Sequence, residues 1–183
     1  KKNYGFGETC KYIDEIIVLL ITKNPSKKEI LQFCDDLNKF RENIFVPLTI
    51  GGGIRRIEDA HIYFENGADK IIINTLAHEN HEELEFISKN FGSQSISVMI
   101  DYKKIKSKYI SFSNAGTKVS YEVSNFFKIL NKLNFGELIL NSIDKDGTGF
   151  GFDRKILNFV PSNFKHPLLL MGGAGKPDHF EKI

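Results

Sequence analysis

The sequence predicts an α/β protein, a (β/α)8 TIM barrel of two half-barrels whose first and last strands lie outside these 183 residues. Three observations predict it. Short apolar runs alternate with longer amphipathic stretches. A pair of these units recurs further along the chain. Glycine-rich turns follow the repeat-equivalent runs.

The apolar runs occupy residues 16–21, 48–50, 71–73, 96–100, 138–143 and 168–171. Each is short and mostly β-branched or leucine, as expected for a strand buried on both faces of a parallel sheet. Helix candidates lie between them. Residues 26–40 place Ile30, Leu31, Cys34 and Leu37 at helical spacing, with Ser26 as N-cap. Further helices are expected over 57–66, 81–90, 121–133 and 154–159. In the third helix of the series, Leu84, Ile87 and Phe91 share one face. No linker or low-complexity segment interrupts the alternation, so residues 1–183 are expected to form a single domain. Alternating βα units imply parallel strands with right-handed crossovers, in a doubly wound sheet or a barrel.

The internal repeat favours the barrel. Residues 47–53 (PLTIGGG) return about 120 residues later as 167–173 (PLLLMGG). The preceding strands match as well: 15–19 (EIIVL) returns as 137–141 (ELILN). The second copy starts four βα units after the first, the offset of two half-barrels. A full barrel needs about 250 residues, and six strands are visible here. The first and eighth strands are therefore expected outside the sequence. An incomplete barrel leaves strand edges unpaired, so residues 1–183 alone are not expected to form a stable closed barrel.

Composition narrows the function. Charges nearly cancel, 25 Lys and Arg against 23 Asp and Glu, which disfavours a nucleic-acid binder. No apolar run reaches the roughly 18 residues of a membrane span. Cys10 and Cys34 fit no metal or redox spacing and read as reduced thiols of a cytoplasmic protein. His61, His78, His81, His166 and His179 lack partners at metal-ligand spacing, so no metal is expected.

In a βα barrel, chemistry lies at the C-terminal ends of the strands. Gly51-Gly52-Gly53 follows one strand and Gly172-Gly173-Ala174-Gly175 its repeat equivalent. Such turns either bind an anion through backbone N–H groups or are simply tight turns. Two at equivalent positions favour a ligand with a phosphate at each end. Asn74 and Thr75 stand at a helix start, and Asp144, Asp146 and Gly147 follow the sixth barrel strand. Asp146 either shapes its turn or accepts from a ligand hydroxyl. Asp101 ends the fifth barrel strand. It reads as a general acid/base, or as a loop cap or salt-bridge partner of Lys103 or Lys104. Lys103, Lys104, Lys106 and Lys108 read as the solvated turn of a short hairpin. Glu15, Lys70 and Glu137 each start a strand at the opposite end, where mixed charges form a stabilising cap by default.

Residues 46–55 (VPLTIGGGIR), 67–75 (GADKIIINT), 91–94 (FGSQ), 136–148 (GELILNSIDKDGT) and 171–176 (MGGAGK) resemble the HisF family of (β/α)8 barrels, over about residues 14–180. The resemblance implies the cyclase subunit of imidazole glycerol phosphate synthase. That enzyme takes ammonia from a glutaminase partner and a bis-phosphorylated substrate. It closes an imidazole ring and releases an aminoimidazole carboxamide ribotide in histidine biosynthesis, without a cofactor. Two aspartates act as acid and base; the second matches Asp101, and the first belongs to a strand outside this sequence. One phosphate site matches Gly52, Gly53, Asn74 and Thr75. The other matches Asp146, Gly147 and Gly173, with Gly172 beside it. Glu15, Lys70 and Glu137 match a charged ring that gates ammonia entry, and Asp69 matches a partner-contacting position.

Three positions depart from the histidine-pathway pattern. Leu20 stands where an aspartate faces the site, Asn141 replaces a threonine, and Ala115 stands where serine or glycine is usual. Residues 140–144 (LNSID) and 114–117 (NAGT) resemble a paralogous branch that would supply ammonia for amidating a bacterial surface sugar. A third expectation is a non-catalytic phosphate-binding barrel that docks and activates a glutaminase.

Overall fold

The structure, a computed structural model, describes residues 13–41 and 45–181. Eight strands form one sheet: β1 (Ile16–Leu19), β2 (Leu48–Gly51), β3 (Lys70–Ile73), β4 (Ile96–Ile105), β5 (Lys108–Ser113), β6 (Lys118–Glu122), β7 (Glu137–Ser142) and β8 (Leu168–Met171). Among the described residues, five α-helices accompany them: α1 (Lys27–Arg41), α2 (Ile57–Glu65), α3 (Thr75–Glu79), α4 (His81–Phe91) and α5 (Val123–Leu130). Six strands run parallel in the order β1-β2-β3-β4-β7-β8. This is sequence order once the antiparallel hairpin β5–β6, built on the far half of β4, is set aside.

The parallel run separates two layers by the period-2 alternation of strand side chains. Ile71, Ile73, Ile96, Val98, Ile100, Leu138 and Leu140 face the helices. They pack with Cys34, Tyr63, Leu84, Ile87, Phe126 and Phe127 in the main core. The alternate residues Ile72, Met99 and Ile139 form a second cluster, joined by Ile17, Leu19 and Met171. That cluster draws on β1, β3, β4, β7 and β8. Six strands laid flat span about 24 Å, yet one cavity of about 350 Å3 touches Leu19 on β1, Ile72, Met99, Asn141 and Met171 on β8, so the sheet curls as a barrel wall does.

Local chemistry places the helices. Glu29 N–H donates to Ser26 Oγ, and the Glu29 carboxylate accepts from Ser26 N–H at 2.8 Å, a reciprocal cap on α1. The Ser26 hydroxyl, donating to Glu29 Oε2 at 2.7 Å, and the Ser26 N–H together hold the Glu29 carboxyl below its ordinary value. Asn80 Oδ1 accepts from Glu83 N–H at the start of α4.

Several expected boundaries move. The first strand ends at Leu19 rather than residue 21. The helix expected from residue 121 starts at Val123, because Glu122 still pairs with Ile110 in the hairpin. Residues 154–159 form a 3-10 helix rather than an α-helix. The basic run does form a hairpin turn, with Lys104, Lys106 and Lys108 exposed. Cys34 is a buried free thiol, which burial pushes up to about 11, with Asp35 adding to the shift. Cys10 lies outside the described residues. Among the described residues, no helix is long and apolar enough to cross a membrane.

Candidate functional site

A cavity of about 350 Å3 opens at the C-terminal ends of the parallel strands. Gly52, Gly53, Asn74, Thr75, Asp101 and Asp146 all line it. Asp101 ends the apolar part of β4 and faces inward, in step with Met99 beneath it. Asn74 Nδ2 donates to its Oδ2 at 2.8 Å, and Asn141 Nδ2 to its Oδ1 at 2.7 Å. Lys103 and Lys104 instead place their ammonium groups over the rings of Phe112 and Tyr109. The salt-bridge reading of Asp101 therefore gives way to a clamp of two amides. Burial raises the Asp101 carboxyl above the usual carboxylate range. The Asn141 bond opposes that rise, the nearby Asp146 charge adds to it, and the Asn74 bond opposes it.

Asn74 occupies the N-cap position of α3, yet its side chain makes no capping bond there. An N-cap side chain is worth about 1 kcal/mol to a helix. Here it is turned onto Asp101 instead. Its Oδ1 and that of Asn141 are buried without protein partners, as is Asn114 Oδ1. Three unsatisfied acceptors on residues that line one cavity suit a ligand rich in donor groups.

The first glycine turn is held tightly. Gly52 has φ +108°, and a Cβ there would stand 2.2 Å from the carbonyl oxygen of Leu20. Tyr63 Oη donates to the Gly52 carbonyl at 2.6 Å, which ties the turn to α2. Thr75 Oγ1 accepts from Asn114 N–H at 3.0 Å, which ties the hairpin tip to the start of α3. Asn114, Ala115 and Gly116 all have positive φ and form part of the cavity wall.

The second glycine turn has a structural task. Gly151 N–H donates to the Gly173 carbonyl at 2.7 Å, and a Cβ on Gly173 would lie 2.3 Å from Gly151 O. Two loops thus pack backbone against backbone. Gly172, Gly173 and Gly147 stand beside the cavity wall rather than in it; Gly172 is next to Asn141 Oδ1 and Asp146 N. Asp144 accepts from Lys104 N–H at 3.1 Å, a loop-holding role.

At the other end of the strands, Lys70 Nζ lies 2.9 Å from Glu15 Oε2 and 3.2 Å from Glu137 Oε1. The two repeat-equivalent glutamates thus converge on one lysine. Thr49 Oγ1 donates to Glu15, and Ser97 Oγ to Glu137 at 2.6 Å. Burial alone would lower the Lys70 ammonium, but its bonds and attractions to both glutamates outweigh it and raise the group. Asp69 is exposed, and its carboxylate accepts from Leu48 N–H at 2.8 Å.

Sequence reasoning did not assign Arg55, Asn114, Thr49 or Ser97 to either end, and noted Asn141 only as a departure. Arg55 follows the first glycine turn and enters the cavity wall, with Nη2 donating to Asn24 Oδ1 at 2.9 Å. Its place directly after Gly51–Ile54 was the available signal. Asn114 is brought in by the hairpin, which no local pattern places over the cavity.

Residues 10–183 match the histidine biosynthesis protein family. A Sulfurisphaera tokodaii protein named imidazole glycerol phosphate synthase subunit HisF is 39% identical over 172 residues, covering 93% of this chain and 68% of its own length. The Metallosphaera sedula protein of that name is 38% identical over 174 residues, covering 93% and 67%. The chain belongs to the HisF family. A Parasynechococcus marenigrum protein, provisionally named imidazole glycerol phosphate synthase subunit hisF2, is 40% identical over 180 residues, covering 98% of this chain and 66% of its own length. The chain thus spans about two thirds of the length of these HisF relatives. The family fold is a (β/α)8 barrel, in keeping with the curled parallel sheet.

Proposed function

We propose that the protein acts as a HisF-type cyclase: it takes ammonia from a glutaminase partner and uses it to form imidazole glycerol phosphate and an aminoimidazole carboxamide ribotide in the cytoplasm. The observation that carries this reading is the diversion of the α3 N-cap side chain, Asn74, onto the buried Asp101 carboxylate. A fold gives up a helix cap at a site where a carboxylate must be oriented for chemistry.

Ring closure moves protons on and off oxygen and nitrogen in sequence. A carboxyl with its pKa raised by burial suits that work at neutral pH. Asp101 takes one of the two acid/base roles. Gly52, Gly53, Asn74 and Thr75 hold one phosphate through backbone N–H groups and short polar side chains. Asp146, Gly147, Gly172 and Gly173 frame the place for the other. Ammonia enters at the opposite end, past Glu15, Lys70 and Glu137, with Asp69 at the partner's docking face. From Ser97 to Asp101 along β4 is about 13 Å, through the apolar layer of Ile72, Met99 and Ile139. A neutral molecule crosses such a layer more easily than ammonium does.

The second reading is ammonia supply for sugar amidation. What favours it is Leu20 in the cavity wall, where the histidine-pathway pattern has an aspartate, together with Asn141. A docking role without catalysis is the third.

The test is turnover of the bis-phosphate substrate by the full-length protein with an ammonium salt and no glutaminase. Turnover that falls at least a hundredfold in Asp101→Asn is expected, from the usual ~10²–10⁴-fold worth of a general acid/base. Substrate binding without turnover would reject the cyclase and leave the second and third readings.

A further inference from the structure

His78 is buried on α3, outside the cavity wall, and packs its ring 4.3 Å from that of Phe126 and 6.0 Å from that of Tyr121. Nδ1 lies 3.0 Å from the Asn74 carbonyl, and Nε2 lies 3.3 Å from Ser111 Oγ. A carbonyl only accepts, so Nδ1 carries the proton and donates. Nε2 of the neutral ring then accepts from the Ser111 hydroxyl. Ser111 sits where the β5–β6 register shifts, between Ile110 and Phe112. Its Oγ also accepts from Tyr121 N–H at 3.0 Å, and its single proton is shared between His78 Nε2 and the Tyr121 carbonyl at 3.1 Å. The hydroxyl thus stands in for ladder bonds that the bulge removes.

We infer that His78 is a positioning residue that fixes two walls of the cavity at once, Asn74 through Nδ1 and the β5–β6 hairpin through Ser111. The Asn74 backbone held by His78 carries the amide that clamps Asp101. The hairpin held by Ser111 carries Asn114, whose N–H reaches back to Thr75. A valine or leucine would fill the same apolar space between Phe126 and Tyr121 but would bond neither group. The inference does not depend on which reaction the site performs.

The test uses three variants of the full-length protein and two readouts that need no substrate. His78→Phe keeps the ring packing and removes both bonds. His78→Asn keeps a donor at the Nδ1 position, and His78→Gln keeps a group at the Nε2 position. The first readout is amide hydrogen exchange at Asn114. The second is the titration of the Asp101 carboxyl carbon by NMR. In His78→Phe, exchange at Asn114 is expected to accelerate about tenfold. The acid dissociation constant of Asp101 is expected to fall about threefold as the Asn74 bond loosens. His78→Asn is expected to restore the Asp101 titration but not the Asn114 protection, and His78→Gln the reverse. Unchanged readouts in His78→Phe would overturn the inference. So would a uniform acceleration of all amides with no split between the Asn and Gln variants, which is what lost packing alone produces.

Discussion

Asn141 and Asp101 occupy paired positions on adjacent parallel strands, and Asn141 Nδ2 donates to Asp101 Oδ1 at 2.7 Å. With Asn74 on the other oxygen, both carboxylate oxygens are engaged from opposite sides. The clamp fixes the direction of the remaining lone pairs, which is what an acid/base must have before a substrate arrives.

Orientation of this kind carries a cost in stability. Burial raises the Asp101 carboxyl more than its two amide partners lower it. A group raised in the folded state stabilises the fold below its unfolded pKa and loses that contribution as pH rises through the folded value. At neutral pH the ionised Asp101 therefore destabilises the protein. Asp101→Asn is expected to raise the melting temperature by about 2–4 °C, the equivalent of ~1 kcal/mol in a domain of this size. One of Asn74 and Asn141 can turn its free Oδ1 toward the new NH2 group while the other keeps donating to the remaining oxygen. Calorimetry at pH 7.5 checks this, and a lower melting temperature would contradict it.

Removing Lys70 leaves two part-buried carboxylates facing each other. Lys70→Met is expected to cost about 1–2 kcal/mol by urea unfolding, more than a surface pair and less than a fully buried one. The Lys70 pKa is raised on folding, so its contribution is complete below the unfolded value of about 10.4 and fades only above it. The loss is therefore the same at pH 6.5 and pH 8.5. A loss present at one and absent at the other would point to a different partner.

The two glycine turns separate by substitution. Gly173 has φ +99° and no room for a Cβ beside Gly151 O, so Gly173→Ala must push two loops apart. Its cost is expected at about 3 kcal/mol or more. Gly147 has φ +70° with nothing within 4 Å of a built Cβ. Gly147→Ala bears only the conformational penalty, about 1 kcal/mol. Equal costs in chemical denaturation would show that loop packing does not set the demand at Gly173.

Acid sensitivity should begin above the carboxylate range. Burial lowers the pKa of His78 and of His166, against the carbonyls of Asn74 and Phe135 that favour their charged forms. Glu79 also raises His78, while His81 and Lys118 lower it. A group lowered in the folded state stabilises the fold above its unfolded pKa, about 6.5 here, and loses that contribution as pH falls through the folded value. The urea midpoint is expected to drop between pH 7.5 and pH 5.5, before carboxylates such as Glu29 titrate. The drop should shrink in His166→Phe. An equal drop in the variant would assign the effect elsewhere.

Much of the frame was legible beforehand. β2, β3 and β8 lie within one residue of the apolar runs that predict them, because a strand covered on both faces has few other compositions available. Asp101, Asn74, Thr75, Gly52 and Gly53 were legible as cavity residues because each stands at the C-terminal end of such a run. The far half of β4 was not. Beyond Asp101 the run turns into Tyr102-Lys103-Lys104, which pairs with β5 rather than with another parallel strand. Arg154–Phe159 carried a helical pattern, yet six residues were too few for the loop to hold more than a 3-10 turn.

The order of units, the repeat that equates Glu15 with Glu137, and the end of each strand at which a polar residue falls can all be read along the chain. Those follow from a side-chain period of two and from the apolar cost of burying a strand on both faces. Which polar groups meet is set by the folded arrangement. Asn74, Asp101 and Asn141 converge, and so do Glu15, Lys70 and Glu137. Convergence depends on the register between neighbouring strands and on the curl of the sheet. Both are set by packing between residues far apart in sequence, which no local pattern encodes.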